Sequence, residues 1–343
     1  MSLEVREEAS VLLESDMSTN PVCETPHGDV QLGTFEEVLV DPGRYYNDHC
    51  LIRAGDTWHF FGIVGNTGPG VPIDPANEIS IAHAMSPDLR DWEIHPDILH
   101  ATGIWPEEDM VFAPNVIEHD ETFYMLYAAT DARRIQRLCL ATSTDLFEWE
   151  KYDGNPVIVP SIYWSEWPGF AVHEPDPHRS FGGCRDAHIL KLDDGSFAAY
   201  WVSRLREDKF GEGMVGVAAS VSHDLVHWQE FGPIYARHEF VQPLTLEVES
   251  PCVVRKDGRY WLFFKHAWWT WYIAADTPFD FWGKEAKRLG YAHAAEVFEW
   301  QGEWWISHCN SDPHDYERCN TAIGRGFFLG KLDWPQGEEP RLL

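Results

Sequence analysis

The sequence predicts an all-β protein built as a single five-bladed β-propeller. Three observations carry this. A turn phrase, Ser-x-Asp-Leu-x-x-Trp, recurs as Ser86–Trp92, Ser143–Trp149 and Ser222–Trp228, with a degenerate copy at Thr277–Trp282. A second phrase, a β-run, a polar turn and an aromatic-rich β-run, recurs five times. No long stretch shows the 3.6-residue period of a helix. Units of three or four strands cannot bury both sheet faces alone; stacked radially they form a propeller. A plain β-sandwich is the structural alternative.

The elements follow in order. Residues 1–40 read as an N-terminal extension or ring-closing strand, 41–335 as the propeller and 336–343 as a tail. The five double runs are DHCLIRAGDTWHFFGIV, APNVIEHDETFYMLYAA, RDAHILKLDDGSFAAYWVS, ESPCVVRKDGRYWLFFKHA and HAAEVFEWQGEWWISHC, anchored near Asp48, Ala113, Asp186, Ser250 and Ala294. Ala54-Gly55-Asp56, Asp193-Asp194-Gly195 and Lys256-Asp257-Gly258 are hairpin signals. The first run of each unit carries few charges, as an inner strand should. Each of the first three turn phrases follows a short β-run (ISIAHAM, LCLATS, VGVAASV). Its Asp can close a turn on backbone N–H groups and its Trp can pack back over the sheet, so the phrase is structural.

Composition narrows the function. The 343 residues hold 26 Lys and Arg against 56 Asp and Glu, a formal charge of −30. Such a surface repels phosphate backbones and anionic lipid, which argues against nucleic-acid and membrane partners. No apolar run is long enough for a membrane span. The 17 Trp suit a flat all-β core or stacking on sugars. Seven scattered Cys form no C-x-x-C pair, and the acidic start lacks a basic region followed by an apolar one; both read as a cytoplasmic protein with free thiols.

The inner strands of a propeller line its central channel, so their starts converge at one mouth. With the apolar pair Leu51-Ile52 as ruler, the matching pairs are Val116-Ile117, Ile189-Leu190, Val253-Val254 and Val297-Phe298. Three residues ahead stand Asp48, Ala113, Asp186, Ser250 and Ala294; one position earlier stand Asn47, Phe112, Arg185, Glu249 and His293. Three acids, an Arg and a His from four blades thus meet at one pole. Acids gathered in this way suit glycoside hydrolysis. One carboxylic acid protonates the leaving oxygen, a second acts as nucleophile or as base for water, and a third grips hydroxyls. Taken singly, each has a plain structural reading: Asp48 as a turn cap, Arg185-Asp186 as a local ion pair, Glu249 as a rim carboxylate.

Here the sequence resembles the five-bladed propeller glycosidases of glycoside hydrolase families 32 and 68 (fructosidases) and family 43 (arabinanases, xylosidases). Tyr46-Asn47-Asp48-His49 shares the Asn-Asp core of the family 32 motif W-x-N-D-P-N-G, without its second Asn, Pro and Gly. Arg185-Asp186-Ala187 is similar to R-D-P, Glu249-Ser250-Pro251 to E-C and to the E-[GA]-P of family 43, and Phe112-Ala113-Pro114 to W-A-P. The resemblance implies Asp48 as nucleophile or base, Asp186 as transition-state stabiliser and Glu249 as general acid, with Glu247 its rival on the same strand face. Arg185 would bond hydroxyls and keep Asp186 ionised. The Arg-Asp pair favours a fructofuranosyl substrate and retention; an inverting arabinofuranosidase or xylosidase, or a catalytically silent sugar-binding propeller, are the alternatives. Family 32 enzymes carry a C-terminal β-sandwich for which this sequence has no room, which points to a small oligosaccharide substrate.

Asn115, His266, Trp269 and His293 complete the substrate-binding candidates, and in family 43 a central-channel His supports an ion or water. Trp105, Trp164 and Trp167, with Trp269, are candidates for a stacking wall. Residues 160–182 form a long aromatic, Pro-rich loop of the kind that covers a site. The mechanism calls for no cofactor and no metal ligands, although the channel could take a cation.

Overall fold

Each of the five repeats folds as one antiparallel sheet. The computed structural model describes residues 35–66, 77–133, 135–167, 183–211, 213–238, 248–266, 269–309 and 326–343. A short strand, β1 (Glu36–Leu39), precedes the first blade. Blade one is β2 (Arg44–Ala54), β3 (Thr57–Asn66), β4 (Ser80–Ser86) and β5 (Glu93–Ile98). Blade two is β6 (Val111–His119), β7 (Thr122–Thr130), β8 (Gln136–Ser143) and β9 (Glu150–Lys151). Blade three is β10 (Arg185–Lys191), β11 (Phe197–Arg204), β12 (Met214–Ser222) and β13 (Trp228–His238). Blade four is β14 (Val248–Lys256), β15 (Arg259–His266), β16 (Trp269–Ala275) and β17 (Lys287–Gly290). Blade five runs β18 (Val297–Trp300), β19 (Glu303–Cys309) and β20 (Phe327–Asp333), and β20 also pairs with the terminal strand β21 (Arg341–Leu342). β1 is the outer strand of blade five, with Glu36 opposite Leu329 and Leu39 opposite Phe327. The two ends of the ring therefore meet within one sheet. The described residues include one four-residue helical turn, Glu207–Phe210.

Packing follows from burying both faces of every sheet. The second strands are buried nearly end to end, as in β7 and β11, because each touches a neighbouring blade on both sides. The apolar side chains gather in five clusters, one at each blade interface. Phe61 and Tyr127 sit between blades one and two, Trp201 and Phe112 between two and three, and Phe264 and Tyr200 between three and four. Phe263 and Ile306 fill the gap between four and five, and Phe60 and Phe327 that between five and one.

The turn phrase is a capped corner. Asp88 Oδ1 accepts the backbone N–H groups of Arg90 and Asp91, and Trp92 Nε1 donates to the Leu89 carbonyl at 3.2 Å. Asp145 with Trp149, and Asp224 with Trp228, repeat the pattern. Leu89, Leu146 and Leu225 hold φ of 66°, 69° and 64° and are 1 % exposed or less. The apolar anchor offsets the cost of a left-handed backbone at a residue with a Cβ. In the degenerate copy Phe281 takes the buried position, while Trp282 is 47 % exposed.

A girdle of side chains ties the inner strands together around the channel. Cys50 accepts the backbone N–H of Val116, Asn115 Oδ1 that of Ile189 at 2.8 Å, and Cys252 Sγ that of Val297 at 3.4 Å. Glu296 Oε2 accepts that of Leu51 at 2.9 Å, and His188 Nε2 donates to the Val253 carbonyl at 3.0 Å. Each blade thus contacts the next through the residue just before its apolar pair, and the circle closes. These contacts give inner-strand backbone groups partners across the blade boundaries.

Glu296 is the charged member. Its Oε1 accepts from Asn115 Nδ2 at 3.0 Å and lies 4.0 Å from His188 Nδ1, the lone-pair nitrogen of a ring whose other nitrogen donates to Val253. Burial pushes the Glu296 carboxyl up to about 8 and His188 down to about 4, so near neutral pH the proton between them rests on Glu296. The sign follows. A folded carboxyl that holds its proton more tightly than the unfolded one stabilises the fold at low pH, and that stability is lost as pH rises from the ordinary glutamate range through 8. Its loss amounts to at most about 1.4 kcal/mol per pH unit. The histidines that burial holds below their usual value of 6.5, His188 among them, act in the opposite sense below that pH. Denaturant unfolding should therefore show the fall between pH 7 and 8, and Glu296→Gln should lose one proton's share of it there. An unaltered slope in the variant would rule Glu296 out as the source.

Candidate active site

A bulge re-aims one residue in four of the five inner strands. The register of β2 on β3 slips by one residue between Tyr46 and His49. β6, β10 and β14 slip identically between Phe112 and Asn115, Arg185 and His188, and Glu249 and Cys252. The residue at this position is left-handed in four blades: Ala113 (φ 41°), Asp186 (55°), Ser250 (50°) and, ahead of β18, Ala294 (50°). None is glycine, so each conformation costs on the order of 1–3 kcal/mol, which the surrounding ring must offset. The bulges turn these side chains out of the ladder and toward the channel mouth.

The result is a polar pit. Ser250 bridges two of the acids: its hydroxyl donates to Asp48 Oδ1 at 2.5 Å and its backbone N–H donates to Asp186 Oδ2 at 3.1 Å. Arg185 stands 3.5 Å from Asp186 Oδ2 and 3.4 Å from Glu249 Oε1. Lys265, directly across the strand pair from Glu249, donates to Glu249 Oε2 at 2.5 Å. Asp48, Asp186 and Glu249, from blades one, three and four, therefore share one site with two cations. Asn47 and His293 flank it: His293 Nε2 donates to Asn47 Oδ1 at 3.0 Å. Ala113 and Ala294 leave the remaining two positions of the ring without bulk.

The acids are not equivalent. Burial, and then the charge of Glu249, raise the Asp48 carboxyl, against the Ser250 hydroxyl and Lys265, which lower it. Asp186 is pushed up to about 8 by burial and by the charge of Asp48. Arg185 opposes this without overcoming it, so the expectation that Arg185 keeps Asp186 ionised does not hold. Asp48 and Asp186 titrate as a pair bridged by Ser250. His293 lies well below its usual value because it is buried and faces Lys265, and is neutral at physiological pH.

The other sequence candidates separate. Asn115 is 6 % exposed, and its amide oxygen and amide nitrogen each make a girdle contact. His266 is 2 % exposed and shares the β15 face of Phe264, which packs between blades three and four, away from Lys265 and the pit. Trp269 is 9 % exposed and lies under Arg288, 5.0 Å from the ring centre, as packing rather than platform. Trp164 packs on Trp201 at 5.5 Å. Glu247 lies outside the described residues, as do 168–182 of the long loop.

Three contributors were not singled out from sequence: Lys265, the lone charge in the apolar run YWLFFKHA, and Glu296 and His188, one step deeper in the channel. The ruler that found the acids would have found the last two if moved forward by two residues. The channel cavity there is about 30 Å³, room for roughly one water. Among the described residues no group of three or more His, Cys, Asp or Glu is arranged to hold a metal ion.

Comparison with known proteins bears on the chemistry. Residues 49–167, blades one and two, match the family model for the glycosyl hydrolases family 32 N-terminal domain. Over 257 residues the chain is 22 % identical to the β-D-galactofuranosidase xynD of Aspergillus niger, covering 70 % of this chain and 63 % of that protein. The chain thus spans less than two thirds of that relative's length. Among solved structures it is similar to a family 43 β-xylosidase/α-arabinofuranosidase from a compost microbial metagenome, with TM-score 0.63 and 13 % identity over 90 % of this chain and 98 % of the other. It is also similar to a Bombyx mori family 32 β-fructofuranosidase, with TM-score 0.59 and 20 % identity over 85 % of this chain and 62 % of the other. At these identities the structural likeness establishes the fold.

Proposed function

We propose that this chain, a propeller glycoside hydrolase of the family 32 and 43 type, cleaves a fructofuranosyl-like bond in a small oligosaccharide, with Asp48, Asp186 and Glu249 as its catalytic residues. The observation that carries the reading is the meeting of those three carboxyl groups, from three blades, around Ser250. The match of blades one and two to family 32 and the likeness to a galactofuranosidase support a furanoside.

In this reading Glu249 gives its proton to the leaving oxygen as the glycosidic bond breaks, and the oxygen leaves as a neutral hydroxyl. Asp48 attacks the anomeric carbon, or takes the proton of the water that does. Asp186, with Arg185, bonds ring hydroxyls and steadies positive charge developing on the ring. Glu249 must be protonated at that moment, and its carboxyl is bonded by Lys265 and Arg185. The Asp48–Asp186 pair holds a proton in reserve, and a sugar entering between Glu249 and Lys265 takes the place of the Lys265 contact.

A substrate panel tests this. Sucrose, short fructans, and nitrophenyl arabinofuranoside, galactofuranoside and xylopyranoside are offered to the wild type, with the released anomer followed by NMR. Furanosides should be turned over at least about 100-fold faster than the xylopyranoside, with fructosides leading. A pyranoside preference with inversion would replace this reading by the family 43-like alternative, which the Ala113-Pro114 and Ser250-Pro251 steps favour. No turnover on any glycoside would leave only a sugar-binding propeller.

A further inference from the structure

We infer that the pit face of blade two carries a second sugar-binding position, built on Trp105, Arg137 and Trp167, that takes the outer units of a neutral oligosaccharide. This rests on the glycosidase reading above and adds where the substrate extends. Thr130 N bonds the Met110 carbonyl at 3.0 Å, and Val111, Ala129 and Arg137 stand side by side across β6, β7 and β8. The start of β8 and the segment before β6, which carries Trp105, therefore lie at the same end of the blade as Ala113. Two strand spacings of about 4.8 Å place the Arg137 backbone ~10 Å outward from the inner strand, beyond a sugar ring seated among the acids.

The position is built rather than incidental. The Arg137 side chain is 8 % exposed, and its Nη1 donates to Asp131 Oδ2 at 3.1 Å and to the Ile135 carbonyl at 3.3 Å. Asp131, 1 % exposed, is itself held by the N–H groups of Arg133 and Ile135. The fixed guanidinium lies 5.9 Å from the Trp105 ring centre and 5.7 Å from that of Trp167, so it sets the spacing of the two indoles. Trp167 is anchored further by its Nε1 donating to the Pro160 carbonyl at 3.2 Å.

Trp105 stays 52 % exposed even though its turn is pinned. Gly103 N bonds the Glu107 carbonyl and Glu107 N the Ile104 carbonyl. Glu107 is 3 % exposed, and its carboxylate is bonded by the Tyr127 hydroxyl and by Lys151. A half-bare indole forgoes burial of a large apolar face. Held rigidly beside a locked cation, it presents a flat ring to the C–H face of a sugar at little entropic cost.

The test compares kcat/KM for a pentasaccharide with that for a single-unit nitrophenyl furanoside. Trp105→Ala should lower the ratio about tenfold, through KM for the long substrate. Trp282→Ala, at an exposed Trp in the blade-four turn phrase, should leave the ratio alone. Calorimetric titration of the pentasaccharide into Glu249→Gln, with and without Trp105→Ala, should show the same tenfold loss of affinity. An unaltered ratio with unaltered affinity would overturn the second position. A wild type that cleaves no glycoside would overturn the enzymatic reading instead, and the titration would still decide on Trp105.

Discussion

Glu249→Gln leaves a folded propeller that hydrolyses natural furanosides at about one-hundredth to one-thousandth of the wild-type rate. The glutamine fills the same space, and its carbonyl oxygen can still accept from Lys265, so the pit keeps its shape. What it lacks is a proton to give. An alkoxide leaving group cannot depart without one, whereas nitrophenolate can; the loss should therefore be two to three orders of magnitude for sugar leaving groups and about tenfold for nitrophenyl glycosides. The basic limb of the pH–rate profile, which reports the acid, should vanish. Lys265 has a side chain 7 % exposed, and without its carboxylate it becomes a buried cation with a weaker partner, so some loss of thermal stability accompanies the change. Near-UV circular dichroism separates that from misfolding. Equal rates for wild type and variant on both leaving groups would take the acid role away from Glu249 and pass it to Glu247 or to no residue at all.

The architecture and the acids were legible for the same reason. A strand start is a fixed point of the fold, and Leu51-Ile52, Val116-Ile117, Ile189-Leu190, Val253-Val254 and Val297-Phe298 mark it five times. Counting back three residues reaches Ala113, Asp186, Ser250 and Ala294, which the structure unites by their left-handed backbone. What stayed hidden depends on pairing. Lys265 meets Glu249 only because β15 runs back along β14 in one particular register, and nothing in a single strand reveals that register. Asn115 and Glu296 are polar residues on an inner strand, a pattern equally suited to holding sugar or holding the next blade. Their partners, the N–H groups of Ile189 and Leu51, belong to neighbouring blades, so both hold the next blade. The ionisation of Asp186 misled for an energetic reason. An adjacent Arg counts for less than burial combined with the charge of Asp48, which lies far away in the sequence.

Asp48→Asn has the other large effect, and it acts in two directions at once. Activity falls by about ten-thousandfold or more, because an amide neither attacks an anomeric carbon nor takes a proton from water. Stability rises. Asp48 is, after burial, the main cause that lifts Asp186 to about 8; without its charge, Asp186 returns toward the ordinary carboxylate range. A carboxyl that the fold forces to hold a proton weakens the fold as pH rises toward 8, so removing that force stabilises the protein on the order of 1 kcal/mol near pH 7.5 and takes away the share of the pH dependence that Asp186 contributes. The Ser250 hydroxyl keeps an acceptor, since the asparagine carbonyl replaces Asp48 Oδ1. Denaturant midpoints at pH 5 and 7.5, taken with turnover on a fructoside, read both effects in one protein. A variant that is inactive yet gains stability only at the higher pH has lost a charge the pit holds against its own folding, as a site selected for chemistry would. Full activity in the variant would remove Asp48 from the mechanism. Inactivity with lower stability at both pH values would mean that Asp48 serves as a structural cap on the Ser250 bulge.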